Sequence, residues 1–230
     1  MERLIVVSHG EKGGVGKSTV ASVLTELAPS RPMLVECDQT APDVARRYRA
    51  HGYLGVSIPL LSADSPADAL SDLMSEIEDC DADIVLVNLP AAAGAVVDAY
   101  AHEILSVAQQ LHRRLVVTYA IGSSYDSAAS ARKCAREGLA SVADTRVAIL
   151  NSYFGASHRL GWDDESRAVW NGPEAVLPAL ADRVTAGLRT IESPLSNIAD
   201  GKVGDMHLVD RALLTRWLRD CQPIADAVYG

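Results

Sequence analysis

The chain has 230 residues, 48% of them apolar and 22% charged, with a formal net charge of −9. That length can bury a full core as one domain spanning 1–230, and the acidity excludes a uniformly basic nucleic-acid binder while leaving room for a local patch. The four cysteines, Cys37, Cys80, Cys134 and Cys221, form no C-x-x-C pair and have no histidine at metal-ligand spacing, so they read as reduced structural thiols of a cytoplasmic protein. No apolar run reaches the roughly 18 residues of a membrane span, and the first strand begins too early to leave a charged leader.

The apolar run Leu4 to Val7 predicts a first strand. It leads into GEKGGVGKST, Gly10 to Thr19, and then into a helical pattern from Ser18 to Ala28 that Pro29 stops. Strand, glycine-rich turn and helix in this order form the setting of a phosphate-binding loop. Glycines let the backbone curl around phosphate oxygens, N–H groups at the helix start point at negative charge, and Lys17 adds a mobile cation. Ser18 carries the hydroxyl that would ligate Mg²⁺. The general pattern G-x-x-x-x-G-K-[ST] asks for glycine at position 11, which is Glu11, and Lys12 precedes the two glycines Gly13 and Gly14.

With that lysine, KGGVGKST resembles the deviant Walker A ATPases of the ParA and MinD type. The resemblance implies a mostly parallel central sheet with helices on both faces, the three-layer α/β/α fold of P-loop NTPases. It also implies binding of ATP or ADP with Mg²⁺ at Gly13, Gly14, Val15, Gly16, Lys17, Ser18 and Thr19, and a homodimer formed on ATP binding. Lys12 would reach across that dimer to the partner's phosphates, as a catalytic residue beside Lys17.

Met33 to Val35 predicts a second strand, which delivers Glu36, Cys37 and Asp38 to the edge where open α/β sheets bind ligands. The family carries D-x-D there, its second aspartate positioning the attacking water. Here Asp38 keeps that carboxylate, as a catalytic and metal-side residue, and Glu36 lengthens the first by a methylene. Asp38 also reads as a turn former ahead of Pro42. Asp43 to His51 predicts a short helix with Arg46, Arg47 and Arg49 exposed. A weak strand near Gly55 to Leu61 and a helix from Pro66 to Glu78 follow, the latter with Ala69, Leu70, Leu73, Met74 and Ile77 on its core side.

Ile84 to Leu89 predicts the clearest internal strand. The resemblance makes it the Walker B strand, with Asn88 where the family has a metal-side aspartate. An amide oxygen can still accept from a metal-bound water, but the charge that strengthens the bond is gone, so turnover should be slow. Asn88 also reads as a simple turn residue. An alanine-rich helix follows over Ala95 to Leu111, then a strand over Leu115 to Tyr119 and a helix between Ser123 and Gly138. The cations of that helix, Arg132, Lys133 and Arg136, suit its dipole and also form a basic cluster that could touch DNA.

Val147 to Leu150 predicts a strand ending in Asn151, which resembles the family's base-recognition asparagine. Tyr153, Phe154, Trp162 and Trp170 crowd the segment from Ser152 to Gly172, which reads either as a lid or partner-binding insertion or as a cluster packed on the core. Pro173 to Ala186 reads as a helix and Leu188 to Ile191 as the last parallel strand, so that Pro194, in the loop after it, would flank the adenine. The final helix takes Asp210 as its N-cap and runs to Cys221, with Leu213, Leu214, Trp217, Leu218 and Cys221 on one face and Arg211, Arg216 and Arg219 on the other. Such a helix resembles the membrane anchor of the MinD branch. With only three arginines and an acidic chain, packing against the sheet is the stronger expectation.

The resemblance implies an ATP-binding, dimer-forming switch and slow ATPase in plasmid partition, stability or conjugative transfer, with a protein partner. The NSYFG stretch, Asn151 to Gly155, resembles the StbB and TraL type. A small-molecule ligase of the same superfamily needs a second substrate pocket, for which the sequence gives no residues. A non-hydrolysing scaffold that has lost turnover through Asn88 stays open. An iron–sulfur reductase needs paired loop cysteines, whereas Cys134 reads as helical and Cys80 precedes a strand.

Overall fold

The structure, a computed structural model, describes residues 2–53, 55–61, 65–123 and 125–230. Strand β1 (Leu4–His9) and helix α1 (Lys17–Glu26) are followed by β2 (Met33–Glu36), α2 (Asp43–Tyr48), β3 (Gly55–Ser57), α3 (Pro66–Glu78) and β4 (Ile84–Asn88). Next come α4 (Gly94–Ala99), α5 (Ala101–Gln110), β5 (Arg114–Ile121), α6 (Tyr125–Glu137), α7 (Leu139–Val142) and β6 (Thr145–Asn151). The chain closes with α8 (Asp164–Trp170), β7 (Glu174–Leu177), α9 (Asp182–Leu188), α10 (Leu195–Ala199), α11 (Leu208–Asp220) and α12 (Gln222–Tyr229).

The strands form one seven-stranded sheet in the order β3-β2-β4-β1-β5-β6-β7, and every pairing is parallel. Side chains alternate faces along a strand, and β1 shows the consequence. Ile5 and Val7 join the core layer with α3 to α8, whereas Leu4 and Val6 join the opposite layer with α1, α2 and α9 to α12. Every residue of β1, β2 and β4 is buried, which is why these strands read as unbroken apolar runs in the sequence. Register then sets the site. Ser8 lies opposite Asn88 and Asn88 opposite Glu36, so three strand ends meet where the glycine-rich loop leaves β1.

Local physics explains where elements start and stop. Ser65 caps α3, accepting the Asp68 N–H at 3.3 Å, and Pro66 takes the first helical position, where its missing N–H has no role. The predicted helix over Ala95 to Leu111 divides at Tyr100 into α4 and α5. The expected helix over Pro173 to Ala186 is instead strand β7 followed by α9. Pro173 and Pro178 bracket only four residues, and Glu174 to Leu177 alternate exposed and buried, which is the strand period. Leu188 to Ile191 is therefore not a strand: Leu188 closes α9, and β7 is the sheet's last member.

The final helix begins before the expected cap. His207 occupies that position, while Asp210 sits inside the first turn, 6% exposed, and pairs with Arg183 at 2.7 Å. Leu214, Trp217 and Cys221 pack into the core, though Leu213 stays exposed, and α12 covers the sheet beyond them. Among the described residues no helix is long and apolar enough to cross a membrane. The aromatic segment divides: Trp162 and Trp170 are buried edge to face, their ring centroids 6.0 Å apart, whereas Tyr153 is 59% exposed.

Candidate functional site

The loop between β1 and α1 is shaped by its glycines. Gly14 and Gly16 hold φ of 76° and 110°, a region that costs other residues strain. Gly16 also has no room for a side chain, since a Cβ there would meet Asn151 Nδ2 at 2.7 Å. The loop delivers Lys17 to the first position of α1, where orphan N–H groups and the helix dipole favour an anion. Ser8 Oγ donates to the Lys17 carbonyl at 3.0 Å and so fastens the helix start to β1. The Lys17 ammonium folds back onto the Lys12 carbonyl at 2.8 Å. Burial lowers its pKa, opposed by the nearby carboxylates of Asp38 and Glu11.

A cavity of about 800 Å³ opens over this loop, a size typical of small-molecule sites. Gly13, Gly14, Gly16, Lys17, Ser18, Thr19, Asp38 and Asn151 line it, so most of the residues singled out from the sequence converge. Lys12, Val15, Asn88 and Pro194 are not on its wall. Val15 is buried beneath the loop. Lys12 turns aside to Asp126 on α6, with Nζ 2.7 Å from the carboxylate. Pro194 precedes α10, and because the last strand is β7, the proline that follows the sheet and lines the cavity is Pro178. Trp217 donates its indole N–H to the Pro178 carbonyl at 2.7 Å, linking that wall to α11.

Asp38 forms a turn and lines the cavity. Its Oδ1 accepts the N–H groups of Thr40 and Ala41 at 3.0 and 2.9 Å, a turn-forming arrangement, while the side chain still lines the cavity. Asn151 donates to the Val15 carbonyl at 2.9 Å and accepts the Tyr153 N–H at 3.1 Å. An amide has two donor hydrogens and two lone pairs, so half of its capacity remains for a ligand.

The Asn88 amide nitrogen donates to Ser18 Oγ at 3.3 Å and Glu36 Oε1 at 2.8 Å. Glu36 is 1% exposed and also accepts the N–H groups of Asp38, Val44 and Ala45. Burial raises its pKa, opposed first by the Asn88 bond and then by those backbone donors. The strand ends thus hold a carboxylate at Glu36, reached through Asn88. The carboxylate and amide at alternate strand ends signal such a pair only once the β2–β4 register is known.

Two further features escape the sequence. Arg47 is not a solvated cation: it donates to the carbonyls of Leu188, Ile191 and Ser193 at 3.0 to 3.2 Å and pins the loop after α9 beside the cavity. Arg132, read from the sequence as part of a basic cluster, is 8% exposed and donates to Ser166 Oγ at 2.7 Å. Its neighbours Lys133 and Arg136 lie beside Glu137 and Glu165.

The sheet order, the loop at the end of β1 and the cavity above it define the α/β/α class of P-loop NTPase folds. No protein-family model and no curated protein sequence matches the chain. Solved structures do: the chain is similar to the MinD cell division protein of Aquifex aeolicus, with a TM-score of 0.52 and 14% identity over 94% of this chain and 95% of that one. It is similar to a chain of the MinC:MinD cell division protein complex of the same organism, with a TM-score of 0.54 and 14% identity over 94% of both. Chloroplast FtsY from Physcomitrella patens gives a TM-score of 0.53 at 14% identity over 79% of this chain, which spans 60% of that protein's length. These likenesses are to the fold.

Proposed function

We propose that residues 1–230 form one nucleotide-binding domain that takes ATP with Mg²⁺ over Gly13 to Thr19 and acts as a dimer-forming switch. The observation that carries this reading is the loop itself. Positive-φ glycines, the buried Lys17 and the start of a ten-residue helix face one cavity. Lys17 neutralises phosphate oxygens, Ser18 ligates the metal, and Asp38 orients the attacking water. Asn151 meets the base together with the wall at Leu177 and Pro178. Phosphoryl transfer needs mainly positioning and charge stabilisation, so this short list can carry it. The test is calorimetric: Lys17→Ala should abolish ATP binding, and unchanged affinity would reject the site.

Lys12 acts in trans in this reading. Its partner Asp126 is 70% exposed, and exposed pairs are worth no more than about 1 kcal/mol, so phosphate oxygens of a second protomer can displace it. The cellular role we infer is cytoplasmic, in plasmid partition, stability or conjugative transfer of the StbB and TraL kind. A protein partner is in keeping with the MinC:MinD complex among the similar structures.

The Asn88–Glu36 bond favours a second reading, a nucleotide-binding scaffold without turnover, because the amide turns a donor toward the metal side. Phosphate release measured with and without DNA separates the two: Mg²⁺-dependent release supports the switch, and none despite tight ATP binding supports the scaffold.

A further inference from the structure

Behind the phosphate loop three side chains from three elements converge: His9 at the end of β1, Asp98 on α4 and Cys134 on α6. His9 and Cys134 are at most 1% exposed, whereas the Asp98 side chain is 23% exposed and opens the group to solvent. His9 Nε2 is 3.3 Å from Asp98 Oδ1, Cys134 Sγ is 3.2 Å from the same oxygen, and Sγ and Nε2 are 3.9 Å apart. Bonds of about 2.0 Å to nitrogen or oxygen and about 2.3 Å to sulfur, set at tetrahedral angles, give edges of about 3.3 Å for N···O and about 3.5 Å for S···N and S···O. The observed triangle lies within a few tenths of an ångström of that face.

We propose that His9, Asp98 and Cys134 form a binding site for one zinc-class divalent cation, its fourth position taken by water reached past Asp98. Imidazole, thiolate and carboxylate together suit zinc, a borderline-soft ion without geometric preference. Outer contacts already hold two of the ligands in place: Leu139 N–H donates to Asp98 Oδ1 at 2.7 Å and Ala140 N–H to Cys134 Sγ at 3.4 Å. Among the described residues the buried His9 Nδ1 finds no hydrogen-bond partner, and with the ring proton placed there the Nε2 lone pair is left for the metal. On binding, the Cys134 S–H bond breaks, the sulfur–metal bond forms, and the proton leaves to solvent. The ion would clamp α4 and α6 to the strand whose next residues are the phosphate loop. This site stands independently of the nucleotide reading.

The test uses the full chain, stripped with chelator and kept free of nucleotide. Zinc titrated calorimetrically should bind at one equivalent per chain with sub-micromolar affinity and raise the thermal midpoint by several degrees. Cobalt(II) should give a thiolate charge-transfer band and the intense visible absorption of a four-coordinate ion. Cys134→Ser should remove that band and weaken zinc about 100-fold, and Asp98→Asn should weaken it about 10-fold or more, with circular dichroism reporting that each variant is folded. No stoichiometric uptake would mean a hydrogen-bonded trio only and overturn the proposal. So would a cobalt spectrum unchanged in a folded Cys134→Ser protein.

Discussion

The 2.8 Å hydrogen bond from Asn88 Nδ2 to Glu36 Oε1 ties two strand ends beneath the phosphate loop and sets what a substitution there can do. Restoring an aspartate at 88 would place a second carboxylate against the buried Glu36, and two such groups cannot both ionise. Asn88→Asp alone should therefore lower stability at neutral pH by about 1–3 kcal/mol and leave Mg²⁺-dependent phosphate release unchanged. Combined with Glu36→Gln, the donor and acceptor exchange places, so stability should return and turnover rise. Chemical denaturation and phosphate release on the three proteins check this, and a stable, active Asn88→Asp single variant would contradict it. From the sequence, Asn88 alone suggested that a charge had been lost. The geometry places the buried Glu36 carboxylate against Asn88, because residues 52 positions apart became neighbours only through the β2–β4 register.

Helix α2 shows how one short element holds a distant loop. Arg47 donates to three backbone carbonyls at Leu188, Ile191 and Ser193, and charge-assisted bonds of this kind are worth about 1.5–3 kcal/mol each when unshared. Arg47→Ala should destabilise the fold by about 1–3 kcal/mol, speed amide exchange across 188–195 and weaken nucleotide binding about tenfold. Arg47→Lys, a single point donor, should recover only part. Exchange rates unaltered by the alanine variant would remove the idea of a staple. Helix α8 offers a pH test. Its N-cap Asp163 accepts the Ser166 N–H and hydroxyl at 2.8 and 2.7 Å, and those bonds hold its pKa below the usual carboxylate value. A carboxylate with a depressed folded pKa contributes stability above its unfolded pKa and loses it as pH falls through the folded one. Thermal midpoints of the parent should thus drop more steeply below about pH 4 than those of Asp163→Asn, which keeps a capping oxygen without titrating. Parallel acid limbs would refute that.

Assembly of two chains is the event that would turn the loop into a switch. Lys12 rests on Asp126 of its own chain, outside the cavity wall, so a role at a partner's phosphates requires it to swing away. Lys12→Ala should bind ATP with affinity near that of the parent yet elute as a monomer on a sizing column in the presence of ATP. An ATP-dependent dimer of the variant would show that Lys12 is not the bridging residue. Trp217, Cys221, Ile224 and Val228 pack into the core, which leaves Leu208, Val209 and Leu213 as the exposed large apolar side chains of α11.

The sequence by itself marked the buried strands and the glycine-rich loop, because both rest on local rules; the doubly wound class was implied by the resemblance that this loop carries, and the sheet order bears it out. Unbroken apolar runs mark strands buried on two faces, and glycines with a following lysine mark a loop that must curl around an anion. Those rules failed where one short window fitted two periods, as at Glu174 to Leu177, a strand bracketed by prolines within a stretch that reads as helix. Only the folded chain decided which side chains meet. The pairing of Glu36 with Asn88, the reach of Arg47 to the loop after α9 and the convergence of His9, Asp98 and Cys134 all join residues far apart in sequence. Their distances follow from strand order and helix packing, which no local window contains.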